Sequence, residues 1–326
     1  MTTPFSPAGG RPGSQRTAAA PAWLPSWLPA WLHWPLALLR AARPRQWPKN
    51  LLVFAAPLAG DSLGRDDGPA YALVAAVAFC AASVAVYLVN DVLDAERDRR
   101  HPVKRFRPIA AGDLRASHAI VLAVVCAAAA VAAGPVFRVP LLALIIAGYL
   151  TLSLLYCLVL KHVPVVELLF IASGFMLRVL GGAVATHVTP SVWFLLVCSL
   201  GALLVATAKR FTELTVLGDA AVRHRPAMRW YRPAALRLTQ RLAAVAMIVT
   251  YGLWAFEEHG TWLRGLHLAS AVPLALALAR FDRLTARPTT RAVEDLLTRD
   301  AAMDVFELLW LLLFAAGLLE LGQLFL

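Results

Sequence analysis

The chain has 326 residues, of which 60% are apolar and only 16% charged, with a mean hydropathy of +0.65. Soluble domains hold about 45–50% apolar and about 25% charged residues, so this composition excludes an ordinary water-soluble globule. The formal net charge of +11 gathers in segments between apolar runs, a pattern that serves membrane topology rather than nucleic-acid binding.

Residues 1–20 are rich in Pro, Gly, Ser, Thr and Ala without apolar periodicity, and are expected to be disordered. They lack the basic stretch, apolar core and small-residue cleavage site of a signal peptide. A short repeat follows: Pro21-Ala-Trp-Leu, Pro25-Ser-Trp-Leu, Pro29-Ala-Trp-Leu. Proline at every fourth position opposes a regular helix. Trp23, Trp27, Trp31 and Trp34 suit the headgroup interface, where an amphipathic ring is stable. Residues 1–40 therefore read as a disordered tail with a Trp/Pro-rich interfacial segment, and 41–326 as a transmembrane domain.

A spanning helix needs about 20 mostly apolar residues. Nine spans are predicted, at 46–63, 70–91, 116–134, 139–160, 164–186, 190–209, 241–257, 262–280 and 303–325. The first is interrupted by Pro57 and opens on Lys49 and Asn50. Cys80, Cys126, Cys157 and Cys198 fall inside apolar runs and read as small hydrophobes; their spacing suggests neither disulfides nor a metal cluster.

The connectors fix orientation. Residues 92–116 hold seven Lys or Arg, 209–241 hold eight and 280–300 hold five, whereas the opposite connectors hold only Arg65, Arg138 and Arg264. This asymmetry puts the N-terminus and the basic loops in the cytoplasm and the C-terminus outside.

The most informative stretch is Tyr87-Leu-Val-Asn-Asp-Val-Leu-Asp-Ala-Glu-Arg-Asp98, at the cytoplasmic end of the second span. Asp91, Asp94 and Asp98 are spaced i, i+3 and i+7, so a helix shows them on one face, with Asn90 one turn before Asp94. Converging carboxylates repel unless a cation lies between them. Mg²⁺ fits, because it takes oxygen ligands and is commonly held by one or two carboxylates plus substrate phosphates. Glu96 points away. The plainer account pairs the acids with Arg97, Arg99 and Arg100. The following cluster, Lys104, Arg105 and Arg107, favours diphosphate chemistry, in which carboxylates hold the ion and cations the phosphate oxygens.

A second polar patch, Lys209-Arg210-Phe211-Thr212-Glu213, ends the sixth span. An intrahelical ion pair explains it locally, yet its side of the membrane makes it the second half of a site. A third, Arg43-Pro-Arg45-Gln-Trp47-Pro-Lys49-Asn50, opens the first span and doubles as a topological anchor. Arg178, among Gly174, Gly181 and Gly182, lies deep in the fifth span. A charge at that depth needs a polar cavity or an ion partner such as Glu167; we read it as cavity lining rather than catalytic.

Asn90-Asp-x-x-Asp-x-x-x-Asp98 resembles the first aspartate motif of the UbiA superfamily of intramembrane prenyltransferases. Further strings look like the branch that transfers phosphoribose to decaprenyl phosphate: Arg43–Asn50, Tyr87–Gly112, Leu160–His162, Ser173–Ala185, Lys209–Leu214 and Tyr251–Glu257. The likeness runs in order from about residue 40 to 300. It implies an all-α, polytopic membrane protein with a nine-helix UbiA-type bundle, set in the plasma membrane with its Mg²⁺–diphosphate site on the cytoplasmic side.

The resemblance also implies 5-phosphoribosyl 1-diphosphate as donor and a polyprenyl phosphate as acceptor, in the synthesis of cell-wall arabinan precursors. Asp91, Asp94 and Asp98 would then be catalytic, as ligands of Mg²⁺, with Asn90 orienting the diphosphate. Lys104, Arg105, Arg107, Lys209 and Arg210 would hold phosphate oxygens, Glu213 would complete the second patch, and Arg45 and Lys49 would position the lipid phosphate. Where prenyltransferases of the superfamily usually carry a second aspartate motif, this chain has the more basic Lys209–Glu213 patch. The chain departs from the branch at Arg229–Pro233, at 280–295 apart from Glu294-Asp295, and in its N-terminal repeat. A prenyltransferase using a prenyl diphosphate is the alternative, and a lipid carrier a third reading. No nucleic-acid partner is expected, and a homo-oligomer stays open.

Overall fold

A computed structural model describes residues 29–60, 62–63, 67–101, 103–159, 163, 166–218, 226–257, 261–286, 293 and 300–318. Among them all regular structure is helical. The repeat up to residue 28, Leu160–His162 and Glu294-Asp295 lie outside the described residues.

Helix α1 (Ala30–Ala42) starts directly after Pro29 and ends at Arg43, whose backbone is left-handed at φ 53°. The sequence expectation of no regular helix therefore fails for Trp31 and Trp34. Only Pro35 interrupts α1, because the four-residue proline spacing stops at Pro29 and resumes out of phase.

Next comes an eleven-residue 3₁₀ segment (Pro44–Phe54), then α2 (Ala55–Ala59). The predicted first span is thus not one continuous α-helix. Pro44 and Pro48 each lack a backbone donor and lie in the 3₁₀ segment, whereas Pro57 is accommodated in α2.

Helix α3 (Gly68–Arg99) has 32 residues, about 48 Å at 1.5 Å per residue. The hydrocarbon core is about 30 Å thick, so α3 is longer than one upright crossing needs, and Asp91, Asp94 and Asp98 lie with its other charged residues in the last turns. A 3₁₀ turn (Lys104–Phe106) and α4 (Pro108–Ala111) fold back over this end. Then come α5 (Ala116–Val136), α6 (Pro140–Leu158), α7 (Val166–Ala185) and α8 (Val192–Leu217). After a 3₁₀ turn at Pro226–Trp230 follow α9 (Pro233–Glu257), α10 (Thr261–Ala286) and α11 (Ala301–Leu318).

Among the described residues five helices are long and apolar enough to cross a membrane: Gly68–Arg99, Ala116–Val136, Pro140–Leu158, Leu168–Ala185 and Val192–Val216. The protein is a multi-pass α-helical membrane protein. Its outward faces are apolar, as with Val121, Val124 and Val125 on α5 and Val245 and Val249 on α9, while Asn50, Ser83, Arg178 and His267 are buried. This arrangement suits a lipid solvent, which offers polar groups no partners.

Helix α3 is the hub, packed on α5, α6, α7, α1, α4 and the Pro44–Phe54 segment. Small residues allow the close approach: Ala41, Ala85, Ala119 and Ala123 pack with Leu88, Ile109 and Leu114 beneath the aspartate-bearing end. Helices α8–α11 form the other half. Leu58 and Ala59 of α2 join it at an aromatic cluster of Trp193, Trp254, Trp310 and Phe314.

Candidate active site

The last two turns of α3 bury Asp91 and Asp98, at 2% and 3% exposure, while Glu96 is exposed. The helix therefore turns the predicted aspartate face inward, under α1 and the turn that leads into α4. Asp94, between them, is partly covered and accepts a 3.3 Å hydrogen bond from Arg97 Nη1, one turn on. Glu96 pairs with Arg100 at 2.9 Å on the outside.

Two arginines close the buried centre. Arg107 Nη1 donates to Asp98 Oδ2 at 2.6 Å and to Asp91 Oδ1 at 3.1 Å. Arg43 donates through Nη2 to the same Asp91 Oδ1, and its guanidinium carbon lies 5.2 Å from the centre of the Tyr87 ring. Both arginines come from chain turns rather than helix interiors. Arg107 precedes α4 in extended backbone, and Arg43 is the left-handed residue that ends α1. Left-handed backbone costs a non-glycine residue about 1–2 kcal/mol, and here the packed site carries that strain.

Arg40 ties the two turns together by donating to the Phe106 carbonyl at 3.2 Å. His101 supports the loop from below: its Nδ1 accepts from the backbone N–H groups of Val103 and Lys104 at 3.1 and 3.2 Å.

The centre suits a hard divalent cation. Oxygens of Asp91 and Asp98 already meet at one nitrogen of Arg107, so two anionic donors surround a single cationic point. Such an ion takes one or two carboxylates and fills its shell with phosphate oxygens and water. An all-protein cage is not formed, since among the described residues no three His, Cys, Asp or Glu side chains close on one point. Of the three predicted aspartates, Asp91 and Asp98 share Arg107, and Asp94 accepts from Arg97.

The remaining predicted residues are distributed as follows. Asn90 is partly buried beside Asp91 in α3, and Lys104 and Arg105 are exposed on the 3₁₀ turn. The Arg105 guanidinium lies 4.8 Å from the centre of the Phe106 ring. Arg45 is exposed, and Lys49 donates to Gln46 Oε1. From the Arg43–Asn50 string, Arg43 reaches the Asp91 carboxylate. In the second patch Lys209 and Glu213 are half-buried, and the buried Arg210 pairs with Glu213. The patch is braced from behind: Arg237 of α9 lies 5.1 Å from the Phe211 ring and donates to Asp282 of α10 at 3.0 Å.

Among the described residues Arg178 meets no carboxylate. It is buried, and it donates to neutral oxygens of Asn50, Gly174, Ser83 and Tyr149. The Glu167 side chain lies outside the described residues.

Residues 51–298 match the family model described as the UbiA prenyltransferase family. The chain is 39% identical over 281 residues to the decaprenyl-phosphate phosphoribosyltransferase of Mycobacterium tuberculosis, a match covering 84% of this chain and 91% of that one. To the protein of the same name from Corynebacterium glutamicum it is 38% identical over 280 residues, covering 84% of each chain. In fold it is similar to a UbiA homologue from Archaeoglobus fulgidus solved with GPP and Mg²⁺, with TM-score 0.62, 14% identity, and 88% and 99% of the two chains covered. It is also similar to a digeranylgeranylglyceryl phosphate synthase, with TM-score 0.60, 15% identity, and 87% and 98% covered.

Proposed function

The chain belongs to the UbiA prenyltransferase family, and from that membership we propose that it transfers 5-phosphoribose from 5-phosphoribosyl 1-diphosphate to a polyprenyl phosphate, decaprenyl phosphate being the acceptor in its named relatives. The observation that carries the reading is the buried Asp91–Arg107–Asp98 centre with Arg43 beside it. It sits at the charged end of α3, where a water-soluble donor and a lipid phosphate would meet if that end lies at the membrane surface.

The chemistry follows from charge. Asp91 and Asp98, with Asp94 alongside, would hold Mg²⁺, which when bound neutralises diphosphate oxygens. Arg43 and Arg107 are in place to hold diphosphate oxygens by charge-assisted hydrogen bonds. Asn90 orients the donor. Lys104 and Arg105 lie on the exposed turn, where they can collect the donor from water, and Lys209 and Arg210, with Glu213, serve the 5-phosphate. Arg45 and Lys49, in the first turns of the Pro44–Phe54 segment, position the lipid phosphate.

An oxygen of the lipid phosphate attacks the anomeric carbon. As that C–O bond forms, the bond from the anomeric carbon to the diphosphate breaks, and the electron pair leaves with the diphosphate. No proton moves, because the acceptor is already an anion. Alignment and preorganised charge supply the rate. The excess of Lys and Arg in the connectors on the site's side supports a cytoplasmic face of the plasma membrane, and the family resemblance supports a product that feeds arabinan precursors.

The basic Lys209–Glu213 patch favours a phosphosugar donor over a prenyl diphosphate, because a donor and an acceptor that both carry phosphate bring more negative charge. Purified protein incubated with radiolabelled 5-phosphoribosyl 1-diphosphate, decaprenyl phosphate and Mg²⁺ should move label into the lipid phase. An unlabelled lipid phase, together with turnover of a prenyl diphosphate, would overturn the reading in favour of prenyl transfer.

A further inference from the structure

The eleven-residue 3₁₀ segment Pro44–Phe54 is intrinsically weak, since 3₁₀ runs beyond three or four residues are uncommon. It nevertheless carries Arg43 at its head, and Arg43 reaches Asp91. Its shape must therefore be imposed from outside, and helix α7 does so at two points. At the first, Gly182 packs so closely on Val53 that an added Cβ would lie 1.7 Å from the Val53 carbonyl oxygen.

The second point is Arg178. Nε donates to Asn50 Oδ1 at 2.7 Å, Nη1 to the Gly174 carbonyl at 2.6 Å, and Nη2 to Tyr149 Oη at 3.0 Å and Ser83 Oγ at 3.3 Å. Asn50 is itself 2% exposed and donates to Cys80 Sγ at 3.1 Å. One guanidinium thus joins α7, α6, α3 and the 3₁₀ segment, and each acceptor is neutral. A buried charge in a membrane interior is costly and marks function more often than packing. Arg178 is too well covered to meet a substrate, so its effect must pass through a neighbour. Asn50 is the partner that leads to the site.

We propose that Arg178 is a positioning residue for transfer: through Asn50 it holds the Pro44–Phe54 segment in the register that puts Arg43 on Asp91. The proposal rests on the reading of Asp91 and Arg43 as part of the donor site. A plain interhelical staple would contribute to stability alone; a positioning residue also sets how the donor is bound.

The test is a double-mutant cycle on the full-length protein with labelled 5-phosphoribosyl 1-diphosphate. Asn50→Ala cuts the link but leaves Arg178 three acceptors, so the bundle keeps its packing. It should raise the donor KM and lower kcat/KM by about 10²-fold, the scale of a small misplacement at a reacting centre. Arg43→Gln should do the same, and the double variant should be no worse than the poorer single one. Losses that multiply, or an unchanged kcat/KM in Asn50→Ala, would overturn the proposal. Should Asn50→Ala not fold, Arg178→Lys paired with Arg43→Gln gives the same two outcomes. If Arg43→Gln and Asp91→Asn both keep full transfer, the donor-site reading itself has failed; if they lose it while the cycle is additive, only the role of Arg178 has failed.

Discussion

Arg43 stands 48 positions before Asp91 in the chain, yet its guanidinium rests on that carboxylate because α1 ends in a single left-handed residue. Asp91 thereby meets two guanidinium groups, whereas Asp94 is met at 3.3 Å by Arg97, which is largely in solvent. The two aspartates should respond differently to the same substitution. Both Asp91→Asn and Asp94→Asn should abolish Mg²⁺-dependent transfer while the bundle still folds. Asp91→Asn should in addition lower stability by about 3–5 kcal/mol, the scale for breaking a buried pair, and Asp94→Asn by at most about 1 kcal/mol. Denaturation midpoints in detergent separate them, and equal shifts would refute the difference in burial.

Arg107 bridges Asp91 and Asp98 through one nitrogen. Arg107→Gln keeps a donor but loses the charge, leaving two buried carboxylates to repel each other. Transfer should fall by about 10²–10³-fold, as when a preorganised donor is removed from a developing anion. Wild-type kcat/KM in this variant would remove Arg107 from the site.

The glycines of the bundle offer a packing test. A methyl group at Gly182 would meet the Val53 carbonyl, while one at Gly148 on α6 would meet nothing within 4 Å. Gly182→Ala should destabilise by about 1–3 kcal/mol through overpacking. Gly148→Ala should leave the melting temperature unchanged or slightly raised, since alanine favours helix.

Asp300 caps the start of α11, where its carboxylate accepts from Arg280 at 3.0 and 2.8 Å and from the Met303 N–H at 3.0 Å. The Arg280 hydrogen bond, more than the other contacts, holds its pKa below the ordinary 3.8. A lowered carboxyl pKa stabilises the fold above the unfolded value, and that contribution disappears as pH falls through the folded value. Asp300→Asn should therefore melt below wild type at neutral pH, with the gap closing below about pH 4. A gap independent of pH would contradict the ion pair.

Orientation can be tested without catalysis. Reporter fusions after residue 115 and after residue 260 should report opposite sides of the membrane, with the first cytoplasmic. A shared side would dismantle the topology and the cytoplasmic placement of the site.

The aspartate face was legible in the sequence because helical spacing alone decides which side chains share a side; the buried Asp91 and Asp98 and the exposed Glu96 follow that rule. Arg107 was legible because it lies only 9 positions after Asp98. Arg43 was not, since Arg43, Arg45 and Lys49 offer three nearby cations. The choice among them depends on a left-handed turn and a three-residue period that an α-helical reading does not contain. The Arg178 network was hidden for a different reason: its partners Asn50, Ser83 and Tyr149 lie 128, 95 and 29 positions away. Only packing brings neutral partners so distant together.

The contact between the 3₁₀ segment and α7 has the logic of a vernier. Three residues of 3₁₀ helix advance about 6 Å, and four residues of α-helix also advance about 6 Å. Asn50 meets Arg178, and Val53 meets Gly182: three steps on one element against four on the other, so both rungs engage together. In two continuous α-helices three residues would advance about 4.5 Å against about 6 Å for four, so this spacing would fall out of phase at the second rung. A one-residue insertion between Arg43 and Asn50 would swing Arg43 through about a third of a turn relative to both rungs, so the spacing from Arg43 to Val53 is as much a part of the site as the residues themselves.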